Sequence, residues 1–491
     1  MISEKLKQAR GYEAAHGADI LPEERPLFHV TPTVGWLNDP NGFSLYRGEY
    51  HLFYQYHPYG TVWGPMHWGH CKSRDLLRWE RLPAALAPDQ DYDRDGCFSG
   101  SAVELDDGRQ LLLYTGVREV REDGAVQVFQ TQCAAVGDGV DYEKCPSNPV
   151  ITGDALPAGG STADFRDPKL WREGETWYAV VGNRTEDGSG AVLLYTSEDA
   201  VRWELAGTLD RSRNEYGRMW ECPDLFDLDG QSVLLVSPQE MEARGLEFRN
   251  GNEVLCILGD CDRGTRAFTR RAVLPVDQGL DFYAPQTLLT PDGRRVMIGW
   301  MQAWEASKFV PAGQKWFGML SLPRELRVRD GRLIQTPVRE LEACRGEGLR
   351  RELLVTQAMT LPGISGRVLD LTVALRPVPG KPFTGFTLHL AQDETHRTSL
   401  HYTPEQNLLT LDRTHAGFAR NIAHIRTVAV RPRQGALTLR VILDRFSVEA
   451  FVNGGEQVLS ATIYTPQSAD GISFEAEGVC QMDLEKYELS L

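Results

Sequence analysis

Cysteine is scarce in this chain and positive charge is in deficit. Nine Cys are scattered from Cys71 to Cys480, an odd number with no CxxC pair. That pattern argues against a disulfide framework or a zinc site and fits reduced thiols in a cytosolic protein. Lys and Arg number 52 against 68 Asp and Glu, a formal charge of −16. A protein that grips a polyanion carries the opposite sign, so neither nucleic acid nor an anionic membrane is an expected partner. No run of 18 apolar residues occurs, so nothing reads as a membrane helix. The first twenty residues are polar and charged and lack an apolar core, so no secretion signal is expected and the cytoplasm is the expected location. HExxH, G-x-S-x-G and Walker A patterns are also missing, which removes three common kinds of catalytic machinery.

Glycine and aromatic side chains are plentiful: 47 Gly, 11 Trp and 16 Tyr among 491 residues. A chain of this length suits two or three domains. Five segments repeat the pattern strand, tight turn, strand, with turn glycines at Gly48, Gly108, Gly174, Gly230 and Gly293. Successive glycines lie 60, 66, 56 and 63 residues apart. Asp-Gly or a similar pair between alternating apolar runs marks a hairpin, because the turn needs positive φ. A second echo, S-x-D-x-x-x-W, runs from Ser73 to Trp79 and again from Ser197 to Trp203, so each unit holds a second hairpin. Four strands per unit, repeated five times without helical spacers, predict an all-β five-bladed β-propeller. The expected division is a lead-in over 1–25, the propeller over 26–335, a linker helix over 336–350 entered through Pro337, and a C-terminal β-sandwich over 351–491. The sandwich could bind sugar, carry a homodimer contact or simply brace the propeller.

In a propeller the first strand of every blade lines one central channel. Residues at equal offsets in those strands converge at one mouth of it. Asp39 and Glu221 each stand nine residues before their turn glycine, and Asp167 stands seven before its own. A lone Asp-Pro pair is ordinary turn chemistry. Three acids in register predict a cluster of carboxylates in one pocket. Crowded carboxylates cannot all ionise comfortably, so one pKa should rise. A proton donor beside an ionised carboxylate is what glycoside hydrolysis requires. Two further motifs carry little weight. The run Asp91 to Gly96 resembles the start of an EF-hand loop, but the twelfth position is Ala102 where Glu is needed. Asn183-Arg184-Thr185 is a glycosylation sequon without a secretion signal.

Trp36-Leu37-Asn38-Asp39-Pro40-Asn41-Gly42, Phe165-Arg166-Asp167-Pro168 and Glu221-Cys222-Pro223-Asp224 resemble the three signature motifs of glycoside hydrolase family 32. Asp281-Phe282-Tyr283-Ala284 and Ser321-Leu322-Pro323-Arg324 are similar to further family segments. The resemblance implies a β-fructofuranosidase of the invertase or sucrose-6-phosphate hydrolase type, acting on a small sugar with no cofactor and no metal. It implies Asp39 as nucleophile, Glu221 as acid/base and Asp167 as transition-state stabiliser. Asn38, Gln55, Trp63, Phe98, Ser99, Arg166, Asp224, Tyr283 and Trp304 would line the substrate site. A retaining reaction would place the carboxyls of Asp39 and Glu221 about 5–5.5 Å apart. Arg184, Lys308 and Lys315 are the cations that could meet a leaving-group phosphate.

Overall fold

The computed structural model describes residues 2–262, 266–418 and 422–491. Each repeat opens a four-stranded antiparallel sheet, giving five sheets around one axis. Their first strands, which line that axis, are Gly35–Tyr46, Gly96–Glu104, Gly160–Glu173, Met219–Leu228 and Tyr283–Leu289. All five turn glycines have φ between +59° and +81°, and a Cβ at any of them would meet nothing within 4 Å. They are there for backbone conformation and not for space. Together the five sheets form the expected five-bladed propeller.

The ring closes through a short parallel strand. Trp316–Phe317, from the long connection inside blade five, pairs with Gly35 and Trp36 at the start of blade one. The next residue, Gly318, has φ +87°, and a Cβ there would stand 1.9 Å from the Leu37 carbonyl oxygen. Deeper in the channel, polar side chains link the blades across the axis. Gln286 Nε2 donates to Gly100 O at 2.7 Å, Ser101 Oγ to Pro168 O at 2.7 Å and Lys169 Nζ to Thr287 O at 2.7 Å. These bonds tie the blades together below the mouth of the channel.

Every first strand is bulged at the same depth. The ladders shift register at Leu37/Pro40, Phe98/Gly100, Glu221/Asp224 and Tyr283/Gln286, and in blade three between the pairs of Val180 and Gly182. Three of the residues there are non-glycine with positive φ: Asp167 at +65°, Cys222 at +47° and Ala284 at +49°. Each precedes a proline, which donates no ladder hydrogen bond and so fits a bulge. A bulge re-aims the side chains around it. Here it re-aims them at the channel mouth.

The lead-in holds a helix, Glu4–His16, capped by Ser3 and anchored when Arg10 Nε donates to Ala84 O at 2.9 Å. The last propeller strand ends at Pro337, followed by a 3₁₀ helix, Arg339–Cys344. The first sandwich strand, Arg345–Val355, begins inside the segment expected to be linker. A six-stranded and a five-stranded sheet then pack face to face around Leu371, Val373, Leu388, Leu400, Val441 and Phe474.

Buried charge joins sandwich to propeller. Arg324 is fully buried and donates to Glu449 Oε2 at 2.5 Å, Asp277 Oδ2 at 3.0 Å and Ser460 Oγ at 2.7 Å. Arg413 of the sandwich pairs with buried Asp281. His29 lies between Asp444 Oδ2 and Glu449 Oε1, 2.9 Å from each. Burial alone would lower its pKa, but the two carboxylates raise it to about 9. Because 9 lies above the ordinary 6.5, this pairing stabilises the fold fully below pH 6.5 and fades as pH rises through 9. Replacing His29 with Ala should cost about 3–5 kcal/mol near neutrality, because two buried carboxylates lose their partner. Denaturant unfolding should show that gap narrowing above pH 9, and an undiminished gap at pH 10 would contradict the assignment.

Candidate active site

The three acids meet at the channel mouth. Asp39 is 8% exposed and receives hydrogen bonds on both oxygens. Asn38 Nδ2 donates to Oδ1 at 3.1 Å, while Ser99 Oγ at 2.8 Å and Gln55 Nε2 at 3.1 Å donate to Oδ2. Asn38 is itself fixed by Trp36 Nε1, which donates to its Oδ1 at 2.7 Å. Trp304 stacks on Trp36 at 6.2 Å, behind that relay. The carboxylate is thus oriented by neutral donors from blades one and two.

Asp167 is 5% exposed and sits on blade three. Its backbone N–H donates to Thr115 Oγ1 at 2.9 Å, and its Oδ2 accepts from Cys222 N at 3.0 Å. The Cys222 thiol lies 3.6 Å from Asp167 Oδ2 and 3.8 Å from Asp39 Oδ2, so the two carboxylates flank one sulfur. Burial, then the charges of Asp167, Asp39 and Glu221, push that thiol well above its usual range and keep it neutral.

Glu221, on blade four, is the most open of the three, with its side chain 15% exposed. Arg166 Nε donates to its Oε1 at 2.9 Å. The Tyr283 hydroxyl lies 2.6 Å from its Oε2. Arg166 is held in turn by Gln130 Oε1 and Asp164 Oδ1, each at 3.1 Å.

Electrostatics follow from this crowding. Burial raises Asp39 to about 6, with the Glu221 charge adding to it and the three hydrogen bonds opposing. Burial and the Glu221 charge raise Asp167 to about 7, against the pull of Arg166. Burial would lower Arg166, but Glu221, Asp167 and Asp164 around it hold the guanidinium charged. Near neutrality the cluster keeps a proton that belongs to the group and not to one residue. A pocket that keeps a proton beside an oriented carboxylate is equipped for acid–base and nucleophilic work on a neutral, oxygen-rich substrate. Among the described residues, no group of three or more His, Cys, Asp or Glu could hold a metal ion.

Comparison with known proteins agrees with this geometry. The profile for the glycosyl hydrolases family 32 N-terminal domain matches residues 29–337, and that for the family's C-terminal domain matches 340–489. The chain belongs to glycoside hydrolase family 32. A sucrose-6-phosphate hydrolase of Zymomonas mobilis subsp. mobilis is 37% identical, over 97% of this chain and 94% of that protein. A raffinose invertase of Escherichia coli is 38% identical over 92% of each. A mutant GH32 beta-fructofuranosidase of Bombyx mori, solved in complex with sucrose, superposes with a TM-score of 0.85 at 34% identity, covering 100% of this chain and 99% of that one.

The other residues expected at this family 32 site divide into groups. Asn38, Gln55, Ser99 and Arg166 touch the acids directly. Trp63 is 48% exposed and stands edge-on to Phe98 at 6.0 Å, an apolar wall open to solvent. Asp224 is buried one step down the channel, where its Oδ2 accepts from Thr287 N at 2.8 Å and pairs with Lys169 at 3.3 Å. Its carboxylate is committed to joining blades three, four and five. Asn183 of the sequon is also buried, donating to Ser161 O and Asp164 O. Of the Asp91 to Gly96 loop, Asp93 is paired with Lys144 at 2.5 Å and accepts from Tyr114.

Reading the sequence missed Gln130, Asp164, Thr115 and Ser237, the groups that set Arg166, Asp167 and Tyr283. Asp164 stands on a first strand, Thr115 and Ser237 on second strands and Gln130 on a third, and none carries a signature of its own. One consequence concerns stability. Ionising Asp39 in the fold is unfavourable, because its pKa of about 6 exceeds the ordinary 3.8. Stability is therefore lost as pH rises from 3.8 to 6 and stays lost above that. Asp39→Asn should stabilise the protein at pH 8 by about 1–3 kcal/mol. Thermal unfolding would show this as a raised Tm, and a lowered Tm would mean that the hydrogen bonds outweigh the burial cost.

Proposed function

We propose that this enzyme hydrolyses the terminal β-D-fructofuranosyl bond of sucrose or sucrose 6-phosphate, and of short fructo-oligosaccharides, with retention of configuration. One observation carries the reading: a carboxylate oriented by three neutral donors shares one pocket at the propeller's mouth with two further acids, the most open of them held by Arg166 and Tyr283. Asp39 attacks the anomeric carbon of the fructosyl ring while Glu221 gives its proton to the leaving oxygen. A covalent fructosyl-enzyme results. Glu221, now ionised, takes a proton from water, and the hydroxide equivalent releases fructose and frees Asp39. Asp167 and Arg166 hold the fructose hydroxyls, with Asn38, Gln55 and Ser99 around the ring and the Trp63 and Phe98 pair as an apolar rim. Preorganised groups of this kind typically contribute ~3–4 kcal/mol each to the barrier.

The relatives named sucrose-6-phosphate hydrolase and the cations of the rim support the phosphate-bearing substrate. Of the three candidate cations, Arg184 is paired with Glu240 at 3.0 Å and Lys315 lies near Asp19. Lys308 is exposed four residues beyond Trp304, with no ion pair within 4 Å among the described residues, and is the one of the three not already engaged by an acid. The cytoplasm, where imported phosphorylated sucrose would be met, suits nine cysteines of which none is in a disulfide among the described residues. No helix among the described residues is long and apolar enough to cross a membrane.

Measuring kcat/KM on sucrose, sucrose 6-phosphate, inulin and levan tests the reading, and a folded sample that frees fructose from none of them would sink it. Asp39→Ala and Glu221→Ala should each lower the rate by several orders of magnitude while the protein stays folded. The acid limb of kcat/KM should fall near pH 6, where Asp39 gains its proton. Activity undiminished at pH 4 would contradict Asp39 as nucleophile. Product chromatography at high sucrose separates hydrolysis from fructosyl transfer, the second reading that a covalent intermediate permits.

A further inference from the structure

The Tyr283 hydroxyl has two neighbours that accept, while the Asn252 side chain approaches it as a donor. The hydroxyl lies 2.6 Å from Glu221 Oε2 and 2.9 Å from the backbone carbonyl of Ser237. A carbonyl oxygen can only accept, and a phenol has one proton to give. Burial first, then the Glu221 charge, push the phenol well above its usual pKa of 10, so it keeps that proton throughout. Donor counting then leaves two arrangements. When Glu221 is ionised, Tyr283 donates to Oε2. When Glu221 carries a proton on Oε2, that proton points at the phenol oxygen and Tyr283 donates to Ser237 O instead.

We propose that Tyr283 is a positioning residue, a hydroxyl rotor that turns between Ser237 O and Glu221 Oε2 as Glu221 alternates between acid and base. This rests on the assignment of Glu221 as acid/base given above. The rotor needs no change in backbone or ring, only rotation about the C–O bond. In the first step the Oε2 proton goes to the leaving oxygen and the phenol O–H swings from Ser237 O onto the new carboxylate. In the second step water gives a proton to Glu221, the phenol turns back to Ser237 O, and the rotor ends where it began. The fixed partner on the other oxygen is Arg166 Nε, at 2.9 Å from Oε1. The remaining charged or titratable groups facing Glu221 are Asp167, Asp39 and Cys222, none of which can supply this exchange. Tyr283 is 2% exposed, and the segment that carries it is tied down two residues earlier, where Asp281 pairs with Arg413. The sequence marked Tyr283 as a sugar contact, whereas its hydroxyl is committed to the proton donor.

A bond donated to an ionised carboxylate is stronger than one received from a neutral acid. Loss of the hydroxyl in Tyr283→Phe therefore disfavours the ionised form, which the first step produces and the second consumes, and so slows the first step and not the second. We expect kcat on sucrose to fall about tenfold with no accumulation of fructosyl-enzyme. No pre-steady-state burst of glucose should appear, and the basic limb of kcat, where Glu221 loses its proton, should move to higher pH. A residue that merely fills space would not produce that shift. Kinetic constants and a pH profile identical to the parent's would overturn the rotor. Glu221→Gln in the same assays separates the two levels. If it still releases fructose at the parent rate, the assignment of Glu221 fails and the rotor with it. If Glu221→Gln is inactive and Tyr283→Phe matches the parent, only the rotor falls.

Discussion

Gathering Asp39, Asp167 and Glu221 into one pocket is unfavourable, and the rest of the molecule is arranged to hold them there. Burial and mutual charge lift Asp39 to about 6 and Asp167 to about 7. Each pKa unit represents about 1.4 kcal/mol of preference for the neutral form. Left to themselves, these side chains would turn to water. The ring geometry removes that freedom, because each acid stands on a first strand whose position is fixed by its neighbours. The bulges then set the direction. Positive φ at Asp167 and Cys222 is a strained conformation for such residues, and strain of this kind persists only where surrounding structure determines it. Cross-axis bonds from Gln286, Ser101 and Lys169 are that surrounding structure.

Seen from this constraint, the sandwich has a mechanical part. Blade five carries Tyr283 and the Trp300 and Trp304 rings that pack on Trp36. Its flanks are held by Arg413 on Asp281 and by Glu449 on Arg324. His29 ties the lead-in of blade one to Asp444 and Glu449 of the sandwich. The two blades that meet at the ring closure are therefore both fastened to one second domain. Bracing is the role these contacts support. They also explain why Asp281 and Arg324 occur in motifs that resemble family segments without touching the acids.

Much of this was legible in the residues because it is local. A turn glycine needs positive φ whatever surrounds it, so five glycines at regular intervals announce five hairpins. Offset from that turn decides which residues face the axis, so Asp39, Asp167 and Glu221 could be gathered on paper. What required coordinates is nonlocal. The Trp316–Phe317 strand is two residues long and pairs with a segment some 280 residues away, beyond any periodicity. Asp224 stands three residues after Glu221, yet one bulge sends it down the channel to Lys169 and Thr287. Gln130 and Asp164 reach Glu221 through Arg166, and nothing about a lone Gln or Asp discloses that.

Charge in the pocket also bears on which leaving group the enzyme accepts. With all three acids ionised and Arg166 beside them, the cluster would carry −3 + 1 = −2. A neutral fructosyl ring meets no penalty there, and its developing positive charge in the transition state is favoured. A phosphate on the leaving sugar is different, since like charges repel more strongly near a poorly hydrated pocket. The acids that orient Arg166 and Arg184, namely Asp164 and Glu240, add to that repulsion on the same side. Preference for a phosphorylated substrate therefore cannot come from the catalytic cluster itself. It has to come from cations beyond the acids that are not already paired, which is why Lys308, exposed on the segment after Trp304, carries more weight than Arg184. Neutralising Lys308 should consequently change selectivity between sucrose and its phosphate while leaving the chemistry proposed for Asp39 and Glu221 intact.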